Sequence, residues 1–179
     1  MLNSTIFDKW SMGKVARFVA FLAERVTRGR RGHEPRVVRD AIWWCHQAAA
    51  NQLDPEDMDL HTAWKTISSS ESEAFTTPQW EFLGAVLGVA TWTADGYALD
   101  ASHPSGRMDR LEKHGFARRD AANALDLAQH LGIDSYTLAE LYIGMEYGTR
   151  KIDDDRRDAA LAALVAGHTD VAADIICRP

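Results

Sequence analysis

The chain has only two cysteines in 179 residues, Cys45 and Cys177, 132 positions apart. That count excludes a disulfide framework or a multi-cysteine zinc module, and both thiols are expected to stay reduced. Long apolar runs are missing as well. The most apolar stretch, 82–92, is 11 residues long and is interrupted by Gly84 and Gly88, whereas a membrane span needs about 20. The N-terminus lacks the basic-then-apolar order of a secretory signal, so a cytoplasmic protein without membrane association is expected. Basic residues are almost absent from the middle: residues 41–100 hold Lys65 alone against nine acids. Tryptophan is absent after position 92, although six occur before it.

What is present reads as helix. Alanine occurs 27 times and arginine outnumbers lysine by 15 to 5, a composition that favours helices. Val15, Phe18, Val19, Leu22 and Val26 recur on one face of a helix over about 11–27. Pro35, Pro55 and Pro78 each stand where a helix would begin, a position that spares a backbone donor. Helices are therefore expected from about 35 to 50, from 55 to 67 and from 77 to 90. At 91–99 an Asp95-Gly96 pair between short alternating runs allows one small hairpin. Further helices are expected over about 107–114, 117–131, 135–146, 153–166 and 169–176, separated by Gly115, Gly132, Gly148 and Gly167. The expectation is an all-α fold, a compact bundle of roughly eight short helices in a single domain spanning 1–179.

The stretch 124–143 carries Leu127 and Leu131 inward on one helix, Ala128 at a crossing, Gly132 in the turn, and Ile133, Leu138 and Leu141 on the next helix. This resembles the helix-turn-helix of bacterial repressors, which implies a DNA-binding regulator with Ser135 and Tyr136 at the start of the reading helix. Asp126, Asp134, Glu140 and Glu146 oppose phosphate contact, and any tight helical hairpin needs the same apolar residues.

Two charge clusters stand out. Arg25, Arg28, Arg30, Arg31, Arg36 and Arg39 fall within 15 positions across a helix junction. With Arg118 and Arg119 they make the candidate anion or nucleic-acid site, the plainer reading being a solvated junction. Asp54, Glu56, Asp57 and Asp59 form the candidate acidic patch for a protein partner, although helix-start stabilisation accounts for part of it.

Catalytic signatures are missing. There is no nucleophile elbow, no phosphate-cradling loop and no HExxH, and the seven histidines are scattered singly. Asp57/His61 and Asp126/His130 are four apart on helical faces, a spacing more often seen in surface pairs than in metal ligands. Cys45 and His46 are adjacent, so on a helix they diverge by about 100° and form no nucleophile–base couple. The expectation is a protein without cofactor or metal, leaning away from an enzyme. It would bind and modulate or inhibit another protein, as immunity, anti-defence or adaptor proteins do. The alternative is DNA-binding through 124–143.

Overall fold

The computed structural model describes residues 4–28, 36–59, 62–65, 76–99, 104–148 and 152–177. A 3-10 turn (Ser4–Lys9) precedes α1 (Met12–Val26), where the Ser11 hydroxyl accepts the Lys14 amide at 3.3 Å. Then come α2 (Arg36–Ala49) and a second 3-10 turn (Pro55–Asp57). After a short helical stretch at 62–65 follow α3 (Thr77–Ala98) and α4 (Pro104–His130). The chain closes with α5 (Ser135–Tyr147), α6 (Asp154–Val165) and α7 (Thr169–Cys177). No strand occurs among the described residues, and none of their helices is long and apolar enough to cross a membrane. The fold is all-α.

Three sequence expectations differ from this arrangement in instructive ways. The hairpin allowed at 91–99 is not formed, because α3 continues through it. Gly96 is a packing glycine rather than a turn glycine: a Cβ there would lie 3.1 Å from the His114 ring of α4. Gly115 does not divide α4, whose 27 residues run through it unbroken. The helix expected over 55–67 is interrupted: Pro55–Asp57 is a 3-10 turn and Met58 is extended, while 62–65 are helical.

The stops that do work use the left-handed region. Gly132 has φ +94, its amide donates to Gln129, and the Ile133 amide donates back to Ala128 at 3.0 Å. Those two bonds satisfy the last carbonyls of α4 and turn the chain into α5. Asp134 then caps α5 by accepting the Thr137 amide at 2.7 Å. The helical hairpin at 124–143 is therefore real as a shape.

α1 is the hub. It packs against α2, α3, α4 and α5, and Val15, Ala16, Phe18, Val19, Ala20, Leu22 and Ala23 are wholly buried. Phe18 meets Phe7 and Trp10 edge to face at 5.7 and 5.5 Å, while Trp10 stacks on Tyr142 of α5. Trp10 Nε1 donates to Glu146 at 2.7 Å, and the Lys14 ammonium shares that carboxylate. Thus α5 is tied to α1 by an aromatic stack and by a charge that has its partners.

Gly115 lies on an exposed face with nothing within 4 Å of where its Cβ would be. Replacing it with alanine removes helix-interior entropy loss without a clash, so Gly115→Ala should raise stability by about 0.5–1 kcal/mol. A urea midpoint that stays put or falls would count against a continuous α4.

Candidate functional site

α3 and α4 form the most extensive helix pair, and one residue fixes how closely they meet. A Cβ on Gly88 would lie 2.2 Å from Asp120 Oδ2, so the Asp120 carboxylate occupies the space that a side chain at 88 would need. Trp92 Nε1 donates to the same oxygen at 2.9 Å, and Arg119 Nε stands 3.4 Å from the other. Trp92 is held further by Phe116, with ring centres 5.2 Å apart, and by the Lys113 ammonium 4.6 Å from its ring centre. Lys113 also pairs with Asp95 at 3.6 Å. The indole of Trp92 is therefore a fixed wall.

Beside that wall lies an open groove of about 890 Å³. Trp80, Glu81, Gly84, Ala85 and Trp92 line it from α3, while Arg119, Asp120, Asn123, Asp126 and Leu127 line it from α4. Both sets recur at helical three-to-four spacing, and the small residues 84 and 85 leave the hollow between Trp80 and Trp92. Trp64, from 62–65, stands at the groove with 41% of its surface exposed. Glu81 and Asp126 are exposed and make no ion pair among the described residues. The groove thus offers apolar indole surface and unneutralised carboxylates, with Arg119 already beside Asp120.

The six tryptophans divide by environment. Trp10, Trp44 and Trp80 are buried, Trp92 is half-buried, and Trp43 and Trp64 are exposed. Their skew toward the first 92 residues thus serves both the core and the surface. The repeat of Trp80, Gly84, Gly88 and Trp92 is the signal that points to the groove: small residues between two indoles on one helical face.

The described members of the charge clusters have different surroundings. Asp54 accepts the Glu56 amide at 3.0 Å and Asp59 accepts the Thr62 amide at 3.2 Å, so both cap local turns. Glu56 is exposed, and the Asp57 side chain lies outside the described residues, as does His61. Among the described residues, none of this acidic run lines the groove, although its 3-10 turn packs against α3. Arg30 and Arg31 lie outside the described residues. Arg36 pairs with Asp40 at 3.2 Å, and Arg25 faces a cleft shared with Glu140 and Arg157. Arg28 and Arg39 line a different cleft beside Trp43. Arg118 is committed to structure, donating to the Phe7 and Trp10 carbonyls at 3.0 and 3.2 Å. Among the described arginines, Arg25 and the pair Arg28/Arg39 line separate clefts, and neither Arg118 nor Arg119 lines either of them.

On the hairpin, Tyr136 is exposed and Ser135 half-buried, but Ala139 is fully buried and Glu140 pairs with Arg157 of α6 at 3.1 Å. The face that would read bases is partly used for packing. His130 Nδ1 meets the backbone oxygen of Asp126, not its carboxylate, so that spacing builds no acid–base couple. No cluster of three metal-ligating side chains occurs among the described residues. Cys45 donates to the Val86 carbonyl at 3.2 Å, and burial pushes its thiol up to about 12, which suits a core residue and not a nucleophile. No protein-family profile matches the chain, and no curated protein or solved structure shows significant similarity to it.

His114 sits where α4 crosses Gly96, and its Nε2 is buried without a hydrogen-bond partner among the described residues. Burial first, then the Arg110 and Arg118 guanidiniums, hold its imidazole below the usual value. The unfolded chain therefore takes up this proton before the folded one. Stability should be undiminished above about pH 6.5 and fall as pH drops toward the depressed folded value. Urea midpoints measured at pH 7.5 and 5.5 should show that decline, and His114→Gln should lessen it. An equal decline in the variant would remove His114 as the cause.

Proposed function

We propose that the chain is a binding protein whose α3–α4 groove takes a segment of another protein, one with an aromatic or aliphatic anchor followed by a basic side chain. The observation that carries this reading is the conjunction of exposed Trp64 with Glu81 and Asp126, which make no ion pair among the described residues, around the fixed indole of Trp92. Indole surface in a preformed hollow is the usual energetic centre of a protein–protein contact, and carboxylates at the edge select and steer a cation. The surrounding sequence has the same sign, since residues 41–100 carry a net charge of −8. By occupying such a segment the protein would modulate or block the contacts its partner makes, the mode of action of immunity, anti-defence and adaptor proteins. The site asks for no cofactor.

A display selection of random peptides on the intact protein should enrich for a basic residue near a large apolar one. Trp64→Ala leaves an exposed position and should weaken the selected peptides at least about tenfold. Glu81→Gln with Asp126→Asn should chiefly reduce the association rate and its dependence on salt. Peptides that are enriched without basic residues, or that bind all three proteins alike, would overturn the assignment.

A further inference from the structure

A second cleft, of about 310 Å³, opens between α1 and α2, and its chemistry is opposite to that of the groove. Trp43 stands in it with 55% of its surface exposed, the largest exposure of any described tryptophan. Arg39 lies four residues before Trp43 on α2, so guanidinium and indole share one face a single turn apart. Arg28 reaches the same cleft from the end of α1. Both arginines are exposed, and neither makes an ion pair among the described residues. The acid in the cleft, Glu24, is 3.0 Å from His46 Nε2, and His46 is held edge to face by Phe21. Ile42 supplies apolar lining.

We propose that this cleft is a binding site for a nucleobase joined to a phosphate, the base stacking on Trp43 and the phosphate held by Arg28 and Arg39. A bare anion would leave the indole unused, and an uncharged ring would leave two guanidiniums uncompensated. α1 turns its carbonyl end toward the cleft at Thr27, an end that favours cations, so the phosphate is met by the two guanidiniums. The volume, at the lower end for a small-molecule site, suits one nucleotide unit. Such a unit occurs in a free nucleotide and in a single strand, and the chain's net charge of −6 opposes a long polyanion beyond the cleft.

Titration calorimetry with AMP, adenosine, inorganic phosphate, a short oligothymidylate and polyglutamate tests this on the intact protein. Indole N–H signals of the labelled protein report on Trp43, assigned through Trp43→Leu. AMP should bind more tightly than adenosine or phosphate and should shift the Trp43 signal. Arg28→Gln, Arg39→Gln and Trp43→Leu should each weaken AMP about tenfold or more, with unchanged urea midpoints because all three positions are exposed. Oligothymidylate that binds more tightly than AMP, with a steep salt slope, assigns the unit to a single strand, and equal or weaker binding assigns it to a free nucleotide. No AMP binding at millimolar concentration, equal binding of phosphate, equal binding by the three variants, or binding of polyglutamate alone would each overturn the proposal. Trp64→Ala should leave AMP binding unchanged, which separates this site from the groove.

Discussion

Asp120 places a carboxylate where a side chain at position 88 would have to be. Burying part of a charged group between two helices is costly unless its oxygens are satisfied, and here an indole N–H and a neighbouring guanidinium satisfy them. The arrangement fixes the approach of α3 and α4, and several contacts follow from it. Gly96 comes against His114, and Lys113 comes over Trp92 and beside Asp95. With Trp92 fixed on one side and small residues at 84 and 85, the groove is left as a hollow between two rigid helices. For the binding role proposed above, a hollow that keeps its shape before a ligand arrives would lose less ordering entropy on association.

A similar economy appears at the ends of the chain. Arg118 reaches the carbonyls of Phe7 and Trp10, fastening the first 3-10 turn to α4. Arg156 donates to the Ile175 carbonyl at 2.8 Å, closing α7 on α6. In both cases a guanidinium supplies donors to backbone carbonyls at the end of a short helix, and the Phe7 carbonyl accepts the Trp10 amide as well. These arginines hold the periphery to the core, and their donors are engaged in doing so. A count of basic residues taken along the sequence therefore overstates what is left for ligands.

The helical class was legible because local signals agreed: the apolar stripe from Val15 to Val26, Pro78 at the start of α3, and Gly132 and Gly167 after helices. Two of the misreadings share one cause. Gly115 and the Asp95-Gly96 pair look like breaks from local preference, yet long helices continue through both because the contact between α3 and α4 outweighs a cost of about 1 kcal/mol per glycine. The groove was out of reach for a related reason. Trp80 and Trp92 were visible as residues, but their partner face on α4 lies some 30 to 40 positions further along, and nothing local in the sequence joins Trp92 to Asp120. Likewise, Arg25, Arg28, Arg36 and Arg39 look like one cluster in sequence, while the helix surface sends them to three different neighbourhoods.

The charge layout gains meaning from what it fails to do. Residues 1–40 carry a net charge of +5 and residues 41–100 a net charge of −8. If the two blocks existed to stabilise the fold, they would pair with one another. Among the described residues, no ion pair joins a cation of the first block to a carboxylate of the second: Lys14 goes to Glu146, and Arg36 to Asp40 within its own helix. The link that crosses between the blocks, Glu24 to His46, runs in the opposite sense. Exposed pairs would have contributed little to stability in any case, so leaving the charges apart costs the fold almost nothing. It preserves two surfaces of opposite sign, each with an exposed tryptophan at its cleft: Trp43 among arginines and Trp64 among carboxylates. An indole left half in water, beside charge that no described residue pairs, adds less to folding than a buried one, and its repetition with the sign reversed supports the two proposed binding faces.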